Sequence, residues 1–339
     1  MFSPDDIKLF SIVNADGSEV ILSNLGAGIV SIVVPDRYGN MSDVVLGYRD
    51  PASYDTDGPC MGKVPGRFAN RIAKGRFSLG DKTFSLAINN GPNHLHGGPG
   101  AESFANRLWQ ATETPDGVLF TLDSPDGDAG YPGALHVEAR YSWSEDHRLT
   151  LRLTATSDAE TVVNLTNHAY FNLKGEAAGD VTDHTLKLFA SRYLPTDESL
   201  IPIGEPASVA LTPMDFTLPK EIGRDLKADF PALNYGKGYD NCFVVDDWKK
   251  GVVRPVAELS EKTSGRRLVV STDAPGIQVY TGNWLSGCPL SKSGKAYADY
   301  DGVALECQSF PDSPNRPDFP FEPLRPGCVY ENTIVFAFE

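Results

Sequence analysis

One stretch of the sequence, residues 162–173 (VVNLTNHAYFNL), places a histidine among uncharged hydrogen-bonding side chains. With the two-residue period of a strand, this stretch divides into an apolar face and a polar face. The apolar face carries Val163, Leu165, Ala169, Phe171 and Leu173, and the polar face carries Asn164, Thr166, His168, Tyr170 and Asn172. Neutral donors and acceptors on such a face are typical of a wall that recognises a polar, uncharged molecule. His168 is therefore predicted to lie in a cleft.

A second strand-like stretch, residues 301–310 (DGVALECQSF), carries a glutamate at its centre. Its apolar face consists of Val303, Leu305 and Cys307, and its other face consists of Gly302, Ala304, Glu306 and Gln308. The small residues on that face leave open space beside Glu306. A charged glutamate in the half-buried middle of a strand is costly unless it is hydrogen-bonded or used in chemistry. An outward-facing surface glutamate is the alternative interpretation.

Two further stretches carry polar groups that a sheet face or rim could present. Residues 66–72 (GRFANRI) hold Arg67 and Arg71, whose forked guanidinium groups could hydrogen-bond to the hydroxyls of a substrate. Surface decoration explains two arginines four positions apart equally well. Residues 276–284 (GIQVYTGNW) place Gln278 and Tyr280 on one face of a strand.

The loop-like residues 89–98 (NNGPNHLHGG) contain an H-x-H pair, His94 and His96. On a strand both imidazoles would face one way, which is one half of a zinc site. A zinc site also needs a third and usually a fourth ligand, and neither the cysteine spacing nor an H-E-x-x-H motif supplies them. A loop histidine with one donor and one acceptor nitrogen is equally suited to binding a sugar hydroxyl. No metal is therefore predicted.

Other catalytic chemistries lack their motifs in this sequence. It has no G-x-S-x-G, no Walker-type G-x-x-x-x-G-K-[ST] and no G-x-G-x-x-G after a strand, as serine hydrolases, P-loop enzymes and dinucleotide-binding enzymes would require. A histidine and a carboxylate remain, and together they indicate proton transfer.

Composition limits the partners and the location. The chain has 339 residues, and its 45 acidic against 30 basic residues give a net charge of −15, which disfavours nucleic acid and anionic membranes. No apolar run is long enough to cross a bilayer, and the first ten residues show no secretory signal pattern. The five scattered cysteines suit a reducing compartment. We expect a cytoplasmic protein that binds neither a membrane nor a nucleic acid.

The hydrophobic pattern predicts an all-β protein, a large antiparallel β-sandwich. Short alternating runs of strand length recur along the chain, at residues 19–22, 28–34, 118–122, 149–156, 268–271 and 333–338. Between them lie turn signals, and no segment sustains a helical period over three turns; residues 220–230 and 50–55 come nearest. With no repeat and no linker, residues 1–339 are predicted to form a single domain.

Taken in chain order, these motifs resemble the aldose 1-epimerase (mutarotase) family. The resemblance rests on GRFANRIAKGRF, NGPNHLHGG, NLTNHAYFNL, YDNCFVV, GIQVYTGN and ALECQSFPDSPN, which lie within about residues 62–316. It implies a galactose-mutarotase-like fold (supersandwich), a single large β-sandwich that holds the sugar in an open cleft on one concave face.

The resemblance also implies a role for individual residues. His168 matches the general acid of the family, and Glu306 matches its general base. The matched sugar-binding positions are Asn70, Arg71, His96, Asp240 and Gln278. Tyr170, beside His168 on the polar face, is expected to border the same cleft. Ala169 stands where the family often has Thr or Ser, with no functional consequence that the sequence explains.

The mechanism implied by this resemblance needs only proton transfers. Ionised Glu306 would take the proton of the anomeric hydroxyl while protonated His168 donates to the ring oxygen, so that the ring opens, C1 rotates and the ring recloses as the other anomer. No cofactor, metal or covalent intermediate is required. Proximity of the two groups is expected to favour both ionised forms and widen the active pH range, although desolvation opposes this effect.

Three different functions would also be compatible with parts of this pattern. A hexose-6-phosphate 1-epimerase of the same fold would need extra positive charge beside the cleft, beyond Arg67, Arg71 and Arg76. A noncatalytic carbohydrate-binding protein would need neither His168 nor Glu306. A glycosidase would need two carboxylates, such as Glu306 and Asp240. The preferred interpretation is an enzyme, monomeric or homodimeric, that acts on a free monosaccharide such as glucose or galactose.

Overall fold

The structure is a computed structural model that describes residues 2, 6–55 and 57–339. The first strands are β1 (Leu9–Val13), β2 (Glu19–Ser23), β3 (Gly28–Pro35), β4 (Met41–Asp43), β5 (Arg71–Ile72), β6 (Arg76–Leu79), β7 (Lys82–Ser85) and β8 (His94–Leu95). Next come β9 (Gln110–Thr114), β10 (Gly117–Ser124), β11 (Leu135–Trp143), β12 (Arg148–Ser157), β13 (Tyr170–Phe171), β14 (Thr185–Leu188), β15 (Arg192–Tyr193) and β16 (Ala207–Ser208). The last are β17 (Lys220–Glu221), β18 (Asp240–Val244), β19 (Arg254–Ser260), β20 (Arg267–Thr272), β21 (Gly276–Tyr280), β22 (Val303–Gln308) and β23 (Tyr330–Phe338).

Helices are few and short. The described part of the chain contains one α-helix, α1 (Pro231–Gly236). Short 3₁₀ helices among the described residues include Pro51–Tyr54, Ala73–Gly75, Gly100–Glu102, Phe104–Asn106, Asp128–Gly130, Ile222–Arg224 and Ser313–Asn315. No helix among the described residues has the length and apolar character needed to span a membrane.

Two large sheets pack face to face. The outer sheet has nine strands in the order β17-β14-β19-β20-β23-β12-β11-β10-β9, and the cavity sheet has six in the order β13-β22-β21-β18-β15-β16. A four-stranded sheet, β1-β2-β3-β4, and the pairs β5-β8 and β6-β7 complete the architecture. All of these neighbouring strands pair antiparallel.

The core lies between the two large sheets. Along β12, Leu149, Leu151 and Leu153 are buried and alternate with more exposed polar residues, as expected for a strand with one face in the core. Phe171 of the cavity sheet meets Phe336 of the outer sheet with ring centroids 5.1 Å apart. The predicted all-β antiparallel sandwich is therefore confirmed.

The strand predictions agree with the structure, and the helix candidates agree less well. All six predicted runs lie within β2, β3, β10, β12, β20 and β23. Residues 220–230 contain β17 and the 3₁₀ helix Ile222–Arg224, and the α-helix begins only at Pro231, where proline is tolerated because the first turn needs no N–H donor. Residues 50–55 contain the 3₁₀ helix Pro51–Tyr54. A single domain over residues 1–339, which include positions outside the described residues, stays a prediction.

The stretch 162–173 differs from a regular strand with one apolar and one polar face. Only Tyr170 and Phe171 pair in a sheet, and both faces are buried. Asparagine side chains of this stretch hydrogen-bond to the backbone of other segments. Asn164 Nδ2 donates to Ala69 O (3.0 Å), and Asn172 Nδ2 donates to Asp301 O (2.9 Å). Much of the polar face therefore satisfies buried backbone, which the two-residue period could not reveal.

Arg67 is a buried residue whose guanidinium holds loop segments in place. Its guanidinium donates to Pro132 O (2.9 Å), Gly133 O (2.8 Å) and Ser124 Oγ (2.6 Å). Because Arg67 satisfies three acceptors in two loop segments, neither surface decoration nor sugar binding describes it.

This arrangement predicts a large difference between two arginines of one motif. Arg67→Met should lower the free energy of unfolding by about 3 kcal/mol or more, because it leaves several buried acceptors without a donor. Arg76→Met, at an exposed position, should change it by less than about 0.5 kcal/mol. Urea unfolding of both variants checks this, and equal effects would contradict the structural role of Arg67.

Candidate active site

The register of the cavity sheet places several side chains of the site on the same face. Tyr170 lies opposite Ala304, and Ala304 lies opposite Tyr280. In the next row, Glu306 lies opposite Gln278. Directly opposed residues of an antiparallel pair share a face. These residues therefore all point away from the core that lies between the two large sheets.

A cavity of about 810 Å³ opens on this face. It is lined by seven of the predicted residues, namely Asn70, Arg71, His96, His168, Tyr170, Asp240 and Glu306. Gln278, predicted to bind sugar, is not among the lining residues; it is buried, and its amide nitrogen donates to Asp240 Oδ1 (2.6 Å). Gln278 therefore orients Asp240, while its own Oε1 has no hydrogen-bond partner in the described part of the chain.

His168 and Glu306 face each other in the cavity wall. His168 Nε2 and Glu306 Oε1 are 3.6 Å apart, and both side chains are almost fully buried. His168 Nδ1 and Glu306 Oε2 have no hydrogen-bond partner in the described part of the chain. Buried polar atoms are nearly always paired, so these two atoms are candidates for contacts with a ligand.

Burial outweighs charge attraction in this pair. It raises the pKa of Glu306 well above its ordinary value, with the nearby carboxylate of Asp240 adding to the effect and Arg71 opposing it. Burial also lowers the pKa of His168 to about 4, and the ammonium of Lys63 contributes. Of the two opposing effects that the sequence raises, desolvation is the larger in the free protein, because it disfavours each charged form.

The loop after β8 presents His96 in a single protonation state. The backbone N–H of Asn70 donates to His96 Nδ1 (3.1 Å). Nδ1 therefore carries no proton, and the neutral ring carries its proton on Nε2. Burial lowers the pKa of His96 well below its ordinary value, with His168 and Arg71 contributing. His96 thus offers one fixed N–H donor.

Glycine holds this loop in place. His96 itself has a positive φ of 51°. A Cβ at the next residue, Gly97, would lie 1.7 Å from Gly66 O, so only glycine fits there. The close approach of the two segments brings His96 beside His168, with ring centroids 5.3 Å apart.

A chain of polar contacts fixes the opposite side of the cavity. Arg71 Nη2 lies 3.5 Å from Asp240 Oδ2, and Arg71 Nε donates to Asn90 Oδ1 (3.0 Å). Asp240 is therefore held between Arg71 and Gln278. Such an arrangement gives a hydroxyl-rich ligand both donors and acceptors in fixed directions.

A metal fits these residues poorly. His94 is not available as a ligand because Nδ1 contacts Ala87 O (2.7 Å) and Nε2 contacts the Tyr131 hydroxyl (2.7 Å). In the described part of the chain, His96, His168 and Glu306 bring ligand atoms within 4.8 Å of one another. A metal on His96 Nε2 would move the ring proton to Nδ1, where it would oppose the N–H of Asn70.

The cavity also contains residues outside the predicted set. Tyr280 lines it beside His168, and its position two residues after Gln278 on one strand face was the signal that pointed to it. Glu198, Ser199 and Trp284 also line it. These three come from loops, for which the two-residue alternation carries no information.

A family model described as aldose 1-epimerase matches residues 8–337. The chain belongs to the aldose 1-epimerase family. Galactose mutarotases from Bos taurus and Homo sapiens are each 42% identical to it over 326 residues, which is 96% of this chain and 92% of theirs. The aldose 1-epimerase of Escherichia coli (strain K12) is 40% identical over 338 residues, 98% of this chain and 95% of its own length.

Solved structures of this family have the same fold. An aldose epimerase homologue from C. elegans matches with a TM-score of 0.89 and 29% identity, covering 98% of this chain and 99% of that one. The galactose 1-epimerase of Lactobacillus acidophilus NCFM matches with a TM-score of 0.84 and 30% identity, covering 98% and 94%. The family resemblance and fold predicted from the sequence are confirmed.

The fixed tautomer of His96 predicts metal-independent turnover of a free hexose. Exhaustive chelation should leave the rate of anomer interconversion unchanged, because the donor N–H at Nε2 is already in place. Polarimetry on fresh α-glucose before and after dialysis against a chelator measures this. Activity that disappears on chelation and returns with zinc would show that His96 ligates a metal.

Proposed function

We propose that this protein is an aldose 1-epimerase that interconverts the α and β anomers of free hexoses such as glucose and galactose. The proposal depends chiefly on one observation, the facing pair of His168 and Glu306 in the cavity wall, 3.6 Å apart. The full-length similarity to enzymes named galactose mutarotase and aldose 1-epimerase supports it.

In the proposed reaction Glu306 is the general base and His168 the general acid. Glu306 takes the proton of the O1 hydroxyl while His168 gives a proton to the ring oxygen, which breaks the C1–O5 bond and leaves an open-chain aldehyde. Rotation about C1–C2 presents the other face of the carbonyl. Reclosure with the proton roles reversed yields the other anomer, so the pair returns to its starting state.

The remaining cavity residues would hold the sugar while the aldehyde turns. The guanidinium of Arg71 and the N–H of His96 can donate to hydroxyl oxygens, and the carboxylate of Asp240 can accept from hydroxyl hydrogens. Tyr170 is anchored by its own hydroxyl, which donates to Pro59 O (3.0 Å). Fixed contacts of this kind keep O1 and O5 near their catalysts in both anomers.

The charges of the cavity favour a neutral sugar over a sugar 6-phosphate. Its lining residues include the carboxylates of Glu198 and Asp240 and a single guanidinium, from Arg71, besides Glu306, whose raised pKa favours the neutral form. That guanidinium already lies near Asp240. Of the two remaining arginines in the motif, Arg67 is buried elsewhere and Arg76 is exposed. A phosphate would therefore meet net negative charge.

A noncatalytic binding protein and a glycosidase fit the geometry less well. A binding protein has no need of an acid and a base whose burial costs stability. A glycosidase would need Asp240 as its second carboxylate. Asp240 already has partners in Arg71 and Gln278, which suits binding better than attack.

Location and assembly remain proposals. All five cysteines are free, which supports a reducing, cytoplasmic environment. The oligomeric state, monomer or homodimer, stays a prediction.

Substitution of the two cavity histidines should separate catalysis from binding. His168→Asn should keep the fold and lower kcat by roughly 10²–10⁴, because the proton donor to the ring oxygen is lost. His96→Asn should chiefly raise KM, since its contact persists through the reaction. Coupled-assay kinetics of both variants test this. A collapse of kcat in His96→Asn with near-normal turnover in His168→Asn would reverse the assignment.

The pH profile follows from the directions of the two pKa shifts. The active pair carries one proton, shared between Glu306 and His168. Because the pKa of His168 is lowered to about 4, a second proton should bind only in that range, so kcat/KM should persist below pH 6.5. Because the pKa of Glu306 is raised, the last proton should leave only well above pH 4.5. We expect a broad bell between these limbs.

Glu306→Gln provides the matched test of this profile. The amide keeps the shape but cannot accept the O1 proton, so turnover should fall by roughly 10² or more while sugar binding, followed by calorimetry, survives. If Glu306→Gln retained substantial activity with an unchanged profile, the base would be another residue, and Asp240 would be tested next.

A further inference from the structure

A buried ion pair lies behind the proposed acid, outside the cavity. The ammonium of Lys63 forms an ion pair with Asp57, and the two side chains are 1% and 0% exposed. Lys63 Nζ also donates to Tyr54 O (2.6 Å) and Asn106 Oδ1 (2.8 Å). Two hydrogen bonds and one ion pair therefore hold the ammonium of Lys63 and fix the side chain.

The backbone beside this lysine holds His168 directly. His168 N donates to Lys63 O (2.9 Å), and Gly62 N donates to His168 O (2.9 Å). The neighbouring Asn167 Nδ2 donates to Gly62 O (2.8 Å). Residues 62 and 63 therefore hydrogen-bond to the backbone N–H and C=O of His168. We expect a shift of Lys63 to move the imidazole.

The other end of the segment reaches the cavity. The carboxylate of Asp57 accepts from Met61 N (2.8 Å) and from the Tyr48 hydroxyl (3.1 Å). Gly58 and Pro59, which follow Asp57, line the cavity. We call residues 57–63 the strap. The ion pair joins its two ends, so it sets the shape of the strap between the cavity wall and the backbone of His168.

We propose that the ion pair of Lys63 and Asp57 positions His168 for proton transfer, with Lys63 acting as a positioning residue. This inference rests on the proposed function only for its effect on turnover. Its effect on the imidazole itself is independent of that function. A misplacement of about 1 Å in a catalytic group can reduce a rate by about 10²-fold.

Lys63 also contributes to the electrostatic environment of His168. Glu306, His96, Tyr170 and Tyr280 face the imidazole from their separate elements. Lys63 adds a positive charge from the strap, and this charge is one of the causes that lower the pKa of His168. Removing it should therefore make the imidazole easier to protonate.

The experiment compares Lys63→Met with a remote lysine in a similar setting. Lys220 is also buried, and its Nζ donates to Pro213 O (2.6 Å) and Asp225 Oδ2 (2.9 Å). NMR titration of the His168 imidazole, without sugar, should show its midpoint rising in Lys63→Met from about 4 toward 6.5. The pH at which kcat/KM falls on the acid side should rise with this midpoint. In addition, kcat should fall by roughly 10- to 100-fold, and KM should change little.

A double variant keeps the test decisive if Lys63→Met fails to fold. Asp57→Asn with Lys63→Met removes both charges, so no buried carboxylate is left unpaired. Its His168 midpoint should also rise, whereas Lys220→Met should leave both the midpoint and the limb unchanged. A folded Lys63 variant with the wild-type midpoint and wild-type kcat would overturn the proposal, as would a midpoint shift with no loss of kcat.

The failure of this inference can be told apart from failure of the proposed function. If His168 were not the acid, His168→Asn would retain turnover, yet the NMR midpoint would still respond to Lys63. If instead Lys63 did not act on His168, the midpoint would stay fixed while His168→Asn still lost turnover.

Discussion

The site depends on the antiparallel register of the cavity sheet. A slip of one residue along β22 would exchange Glu306 with Leu305, turning the carboxylate into the core and a leucine into the cavity. Core packing prevents that slip, because Val303, Leu305 and Cys307 of β22 are buried in the core between the two large sheets. The hydrophobic contact between the sheets thus determines where the polar chemistry lies.

The sequence was sufficient to predict which face of a regular, paired strand carries a site residue. The alternation in residues 302–308 separates Val303, Leu305 and Cys307 from Glu306, and the structure has the same division. The two-residue period is a property of the strand itself, so a single sequence reveals it. The family resemblance then extended the prediction to Asp240 and the loop residue His96, whose meeting with β22 depends on the whole fold.

Long-range contacts explain what the sequence could not predict. Arg67 and Arg71 occupy one motif, yet the first holds buried loop carbonyls and the second lines the cavity. The spacing of the two arginines in the sequence does not distinguish these roles, because each role depends on which distant segment contacts the guanidinium. Lys63 is a similar case, because its partners become neighbours only after the strap has folded.

Burial favours the neutral forms of the proposed acid and base, because it raises the pKa of Glu306 and lowers that of His168, although the reaction uses their charged forms. The neutral pair and the charged pair each carry one proton. Transfer of that proton from Glu306 to His168 converts the neutral pair into the charged pair, and Glu306 Oε1 lies 3.6 Å from His168 Nε2. Glu306 Oε2 and His168 Nδ1 have no partner in the described chain. A sugar hydroxyl that donates to the carboxylate would stabilise its ionised form. The unpaired atoms that cost stability in the free protein are thus the ones through which a bound sugar would favour the active state.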